Sequence, residues 1–99
     1  MKLWIDSVRP APNENYASYK TVSGVAYAIT LYEEENIPID VIDIGDSKNE
    51  PYLEDYDYCL LLQWLEDSGR NYPIRIHSFD IQEKKKMREI MERNGWEEV

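Results

Sequence analysis

Three short segments of the chain bring together the side chains that acid–base and phosphate chemistry use. Each follows an apolar run and combines an acid with an arginine, a second acid or a histidine. Carboxylates bind cations or orient water, an imidazole transfers protons near neutral pH, and guanidinium and hydroxyl groups hold phosphate oxygens. The segments are Asp6-Ser7-Val8-Arg9, Asp43-Ile44-Gly45-Asp46 and His77-Ser78-Phe79-Asp80.

The acids in these segments differ in how specifically they point to a function. Asp6 either caps the turn after its apolar run or binds a metal ion or a substrate hydroxyl. Asp43 lies between Ile42 and Ile44, and a carboxylate within a buried strand is costly unless it is matched, which favours a functional role. Asp46 is typical of an ordinary Asx turn.

His77 and Arg9 each allow a structural and a functional interpretation. His77 is the only histidine of the chain. It is either a hydrogen-bonded structural residue or, with Ser78 beside it, a group that carries a proton near neutral pH. Arg9 either anchors its proline-containing loop through Asp6 or holds an anionic substrate through paired hydrogen bonds. Asp80 is most simply a helix cap.

The elements that must position these residues follow from periodicity and capping signals. Apolar or β-branched runs predict strands, and residues 96–99 are a candidate short edge strand. Ser23 is the predicted N-cap of the first helix, Pro51 marks the start of the second, and Asp80 with Glu83 forms a capping box for the third. The inward residues predicted for the first helix are Val25, Ala28, Ile29 and Tyr32, and those for the last are Ile81, Met87, Ile90 and Met91. The predicted strands cover residues 2–6, 16–22, 37–44 and 74–77, and the helices cover 24–35, 51–68 and 81–94.

This alternation predicts an α/β fold, a small flavodoxin-like or receiver-like three-layer sandwich with helices on both faces. The sheet is mostly parallel with four or five strands, and residues 1–99 form a single domain. The connection over residues 7–15 is too short for a helical crossover, so a loop replaces the first helix. Ligands of such sheets bind beyond the carboxyl ends of the strands, where all three polar segments fall.

Charge and composition exclude several classes of function. The 99 residues carry a net charge of −9, which repels a phosphate backbone, so we expect no binding to duplex nucleic acid. No apolar run approaches the roughly 18–20 residues of a membrane helix. The single cysteine, Cys59, cannot form an intrachain disulfide. These features favour a cytoplasmic protein without a membrane partner.

Three stretches, in order, resemble the cyclic-phosphate processing receiver-like domains. The opening of that family is a strand ending in acids followed by Arg-Pro and Ala-Pro, similar to Asp6 and Arg9-Pro10-Ala11-Pro12 here. Its middle strand ends in Asp-His-Asp-Leu-Gly-Asp, which residues 41–46 resemble, and a later strand ends in His-Ser, as at His77-Ser78. The chain departs from the pattern at Ser7, Val41 and Ile42, and at Asp80-Ile81 in place of Asn-Pro.

The resemblance implies a degenerate receiver fold that hydrolyses or binds a cyclic phosphate, as a small ligand or an RNA terminus. It assigns catalysis to Asp6, Asp43 and His77, and substrate binding to Arg9, Asp46 and Ser78. A divalent metal, Mg²⁺ or Mn²⁺, would bind Asp6 and Asp43.

The chain lacks ionisable residues that the family pattern has at positions 7, 41 and 42, where it carries Ser7, Val41 and Ile42, and this supports a different interpretation. In that alternative the chain is a noncatalytic receiver-like module that binds a protein or a nucleotide. A third hypothesis is an acidic protein that occupies a basic surface by charge mimicry.

Overall fold

The structure is a computed structural model that describes residues 1–47 and 53–99 of the chain. The described residues form four strands, three α-helices and a 3₁₀ helix. In chain order the elements are β1 (Lys2–Ile5), β2 (Tyr16–Tyr19), α1 (Val22–Glu34), β3 (Val41–Ile44), the 3₁₀ helix (Glu54–Tyr56), α2 (Cys59–Asp67), β4 (Ile74–Ile76) and α3 (Ile81–Asn94). The predicted alternation of strands and helices is confirmed.

The four strands form one fully parallel sheet in the order β2-β1-β3-β4. Leu3 lies opposite Ala17 on one side and Ile42 on the other, and Ile42 in turn lies opposite Ile74. Because successive side chains of a strand point to opposite faces, this register puts an apolar row on a single face of the sheet.

The three α-helices cover this apolar face. The connections from β2 to β3 and from β3 to β4 run in the same direction across the sheet, so right-handed crossovers place α1 and α2 on the same side. α3 packs against α2 and adds its buried residues to the same core. The buried helical residues are Val25, Ala28 and Ile29 of α1, Leu61, Leu62 and Leu65 of α2, and Met87, Ile90 and Met91 of α3.

The loop that joins β1 to β2 forms the third layer, on the opposite face. This connection runs across the sheet in the other direction, so a right-handed path carries it over the other side. The Trp4 side chain on that face donates from Nε1 to the Arg9 carbonyl at 3.0 Å and meets the Tyr16 ring edge-on at 5.7 Å. The described helices therefore lie on one face, and the loop stands where a second helical layer was expected. The flavodoxin-like α/β fold and the replacement of its first helix by a loop are confirmed.

The starts of two helices differ from the predictions. Thr21, not Ser23, caps α1, because Thr21 Oγ1 accepts from the Gly24 N–H at 3.1 Å while Ser23 bonds to Asp55 through its N–H and its hydroxyl. α2 begins at Cys59 rather than near Pro51, which lies outside the described residues, and residues 53–58 are not α-helical.

The last helix confirms its predicted cap and corrects one predicted core residue. The Asp80 carboxylate accepts from the Glu83 N–H at 3.1 Å, and the helix ends at Gly95, whose φ of 68° lies in the left-handed region. Ile81 is 76% exposed, not inward. At 3.6 residues per turn it lies about 120° around the helix from Met87, away from the buried stripe. Residues 96–99, predicted as a short edge strand, form only one parallel bridge among the described residues, between Glu98 and Ile74.

Candidate functional site

Backbone hydrogen bonds bring three strand ends side by side at the carboxyl edge of the sheet. The Gly45 N–H donates to the Ile5 carbonyl and the His77 N–H donates to the Ile44 carbonyl, each at 2.8 Å. These bonds extend the ladder one step beyond β3 and β4. The three polar segments predicted from the sequence therefore meet at one edge of the sheet, as the fold requires.

His77 lies between two buried aspartates. Its Nδ1 is 2.6 Å from Asp43 Oδ1 and its Nε2 is 2.8 Å from Asp6 Oδ2. Asp6 and Asp43 are 3% and 2% exposed, so both carboxylates depend on such partners for charge compensation. The imidazole also stacks on the Trp4 ring, with centroids 3.9 Å apart and planes 14° apart. We call Asp6, Asp43 and His77 the triad.

Gly45 makes this arrangement sterically feasible. The imidazole and the Asp6 carboxylate pass directly over the Gly45 backbone. A Cβ at this position would lie 2.1 Å from His77 Nε2 and 2.2 Å from Asp6 Oδ2, far inside van der Waals contact. The absence of a side chain at position 45 therefore lets the ring lie across β3 and reach β1.

The Asp6 carboxylate is held as an anion by several donors. Its Oδ1 accepts from the Val8 and Arg9 N–H groups at 2.7 and 2.8 Å, and its Oδ2 accepts from the Arg9 guanidinium at 2.9 and 3.1 Å. Burial opposes ionisation of Asp6, but the Arg9 and Val8 N–H groups and the His77 ring outweigh it. They hold its pKa below the ordinary value.

Arg9 links the triad to the third predicted segment. Its Nη2 donates to Asp46 Oδ2 at 2.6 Å as well as to Asp6. Asp46 also accepts from the Ser78 hydroxyl and from the Phe79 N–H, the latter at 3.0 Å. Burial raises the pKa of Asp46, yet the bonds from Ser78, Phe79 and Arg9 bring it below the ordinary value. Asp46 is thus part of the site and not only of a local turn.

The cluster balances its charges when His77 is protonated. Arg75 reaches Asp43 Oδ2 at 3.5 Å, so the three carboxylates of Asp6, Asp43 and Asp46 face three cations. Burial alone lowers the pKa of His77, but the hydrogen bonds and charges of Asp43 and Asp6 outweigh it, and the net pKa is raised. The surrounding carboxylates therefore favour the imidazolium over the neutral ring.

The arrangement does not bring Asp6 and Asp43 together around one point. The two carboxylates bind opposite ring nitrogens of His77, and both oxygens of Asp6 already accept hydrogen bonds. A cation shared by these carboxylates requires the imidazole to leave. The metal-binding role of Asp6 and Asp43 therefore stays a prediction.

A different group among the described residues has the spacing of a metal-binding group. Ligand atoms of Asp57, Cys59 and Glu83 all lie within 4.8 Å of one another. The thiol donates to Glu83 Oε2 at 3.3 Å, and burial together with the Glu83 carboxylate raises the pKa of Cys59 to about 12. Cys59 is therefore protonated near neutral pH.

A cavity of about 380 Å³ adjoins the site on its helical side. Gly45 and Asp46 line it together with Asp57, Glu83 and Lys86, whereas the triad does not. The cavity thus touches the site only through the loop after β3, whereas Asp43 and the Trp4 ring against His77 lie on the face that the β1–β2 loop crosses.

The sequence predicted six site residues at this edge, but it assigned no role to four residues that complete the site, two of which, Gly45 and Phe79, lie within the predicted segments. Trp4, Gly45, Arg75 and Phe79 contact the predicted residues directly. Side chains alternate between the two faces of a strand, so Trp4 and Arg75, each between two core residues, are predicted to lie on the same face as Asp43. Alternation alone could therefore have identified both residues. Nothing in the sequence pattern indicated that His77 would cross Gly45.

No family model, curated protein or solved structure significantly matches this chain. The class of protein therefore follows from the fold alone: a small α/β domain with a four-stranded, fully parallel sheet. None of the described helices combines the length and the apolar content that crossing a bilayer requires.

Proposed function

We propose that this chain is a receiver-like domain of the cyclic-phosphate processing type, and that it hydrolyses a cyclic phosphodiester. The observation that supports this most directly is the triad, an imidazole held between two buried carboxylates at the carboxyl edge of a parallel sheet. Asp43 orients the ring through Nδ1 and favours its protonated form. His77 is thus suited to donate a proton from Nε2.

The reaction needs one proton donor and one proton acceptor. Water attacks phosphorus, the bond from phosphorus to one ring oxygen breaks, and the product is a phosphomonoester with a free hydroxyl. In our proposal His77 Nε2 gives its proton to the departing alkoxide, and the Asp6 carboxylate takes a proton from the attacking water. The Asp6–His77 contact opens as substrate enters, because both groups then face the substrate.

Arg9 and Ser78 are the groups that would hold the phosphoryl oxygens. Arg9 has a forked set of donors that suits two oxygens at once, and its side chain is 28% exposed. Arg9 and Ser78 both donate hydrogen bonds to the Asp46 carboxylate in this structure. When substrate binds, its phosphate would replace that carboxylate as the acceptor of both bonds. A cyclic phosphate, free or at an RNA terminus, carries one negative charge on two free oxygens, which is the number of oxygens that the Arg9 guanidinium can bind at once.

The test is turnover of a panel of 2′,3′- and 3′,5′-cyclic phosphates, with and without Mg²⁺ or Mn²⁺. We expect His77→Gln and Asp43→Asn to lower kcat by about 100-fold or more, the usual contribution of a general acid. Asp67→Asn, which changes an exposed carboxylate at the end of α2, is the matched control and should keep full activity. Chemical denaturation of each variant separates lost chemistry from lost folding.

One observation favours a second candidate, a noncatalytic receiver-like module that binds a protein or nucleotide. Arg9, His77 and Ser78 are all engaged by carboxylates of the chain itself. If wild-type protein is inert on the whole panel, the hydrolase proposal fails. Binding of a cyclic nucleotide without turnover would then support the module.

A further inference from the structure

Phe79 is an exposed aromatic ring beside a buried site. It is 79% exposed, whereas its neighbour Ser78 is 2% exposed. A ring this accessible contributes little to the core, because hydrophobic stabilisation scales with the apolar area removed from water. The position of the Phe79 ring therefore indicates a role other than stabilising the fold.

The backbone and one contact fix where this ring lies. The Phe79 N–H donates to Asp46 Oδ2 at 3.0 Å, and the Arg9 guanidinium carbon lies 4.5 Å from the ring centroid. Arg9 in turn bonds to Asp6 at 2.9 Å, and Asp6 lies 2.8 Å from His77 Nε2. The ring is thus linked through two residues to the proposed proton donor.

The chemistry of the ring selects the kind of group that would lie against it. An accessible aromatic surface beside Arg9, the cation proposed to hold the phosphate, favours a flat, aromatic substituent on the same substrate molecule. Nucleobases stack on exposed aromatic side chains with little dependence on the base. A sugar or glycerol cyclic phosphate has no such flat group.

We propose that Phe79 is a specificity-determining residue that stacks on the base of a nucleoside cyclic phosphate. This inference rests on the proposed function, since it places the phosphate at Arg9 and His77. It adds that the preferred substrates are those carrying a base, and that the preference depends on this ring.

The experiment compares a nucleoside 2′,3′-cyclic phosphate with methyl ribofuranoside 2,3-cyclic phosphate, which lacks the base. We expect the wild type to prefer the nucleoside compound in kcat/KM and in Kd. Phe79→Ala should lower kcat/KM for the nucleoside compound by about 5- to 100-fold, the usual effect of losing one base–aromatic stack. The base-free compound should be turned over at an unchanged rate, and Phe79→Trp should restore the preference. Tyr27→Ala, which removes a ring 67% exposed on α1, is the control and should change neither value.

The other outcomes separate this inference from the proposed activity. Equal losses of kcat/KM on both compounds would show that Phe79 acts through Arg9, and no loss on either would show that the ring does not contact the substrate. Either result overturns this inference but leaves the proposed activity standing. If wild-type protein turns over neither compound, the proposed activity fails. The inference then depends on the two Kd values, and it fails as well if they are equal or if neither compound binds.

Discussion

Replacing Gly45 by alanine should displace the His77 ring from the triad. The added methyl carbon would lie 2.1 Å from His77 Nε2 and 2.2 Å from Asp6 Oδ2. Neither group can retreat easily, because the imidazole is stacked on Trp4 and the Asp6 carboxylate is held by two backbone N–H groups. The less constrained response is rotation of His77 away from both carboxylates.

The expected cost follows from the burial of the two carboxylates. Asp6 and Asp43 are 3% and 2% exposed, and the rotation leaves both without their histidine partner. Breaking a buried charge pair by removing one partner costs about 3–5 kcal/mol. Arg9 and Arg75 still contact Asp6 and Asp43, so we expect the lower end of that range. This is a large share of the roughly 5–15 kcal/mol that stabilises a small domain.

Two measurements check this reasoning. Urea denaturation gives the loss of stability, and NMR titration gives the pKa of His77 without ambiguity, because the chain has one histidine. In Gly45→Ala the pKa of His77 should fall from its raised value to near the ordinary one. Gly69→Ala is the control: at its φ of 68° the methyl group strains the backbone by about 1–2 kcal/mol but meets no neighbouring atom, so the His77 titration should not change. A Gly45→Ala protein that keeps the raised pKa and loses under 1 kcal/mol, about the net worth of a single hydrogen bond, would refute the argument.

Three further predictions follow from the same contacts. Because the pKa of His77 is raised in the folded state, its protonation stabilises the fold, fully so below the unfolded pKa of about 6.5. This contribution is lost as pH rises through the folded pKa. The urea midpoint of the wild type should therefore fall over that pH range, and the midpoint of His77→Gln should not. Arg9→Lys should cost about 1–2 kcal/mol in urea denaturation, because one ammonium cannot bind Asp6 and Asp46 as the guanidinium fork does; an unchanged midpoint would contradict this. Cys59, with its pKa raised to about 12 by burial and Glu83, should react with iodoacetamide at pH 8 far more slowly in the folded protein than in urea, and equal rates would contradict the burial.

The fold was predictable because its signals are local. The β-branched run that ends at Ile44, the capping pair of Asp80 and Glu83, and the stop at Gly95 each lie within a few residues of the element they define. The short connection after β1 likewise excluded a first helix by length alone. These signals also gave the parallel sheet, since helices alternating with strands leave few other arrangements.

The errors arose where a distant partner competed with a local preference. Ser23 is a good cap by type, but Asp55, 32 residues away, engages its N–H and hydroxyl, and Thr21 caps the helix instead. Ile81 is apolar and near the predicted stripe, but packing of α3 on α2 fixes the rotation of the helix and leaves Ile81 exposed.

The sequence by itself determined the residue types of the candidate site and the edge of the sheet where they lie. A strand pattern fixes which end of the strand carries Asp6, Asp43 or His77, and parallel strands bring those ends to one edge. Only the tertiary structure decided how the side chains meet. The imidazole bridges Asp6 and Asp43 because β3 lies between β1 and β4 and is followed by Gly45, which has no side chain to block the ring. That neighbour relation depends on the strand order, which is set by crossovers and packing over the whole chain.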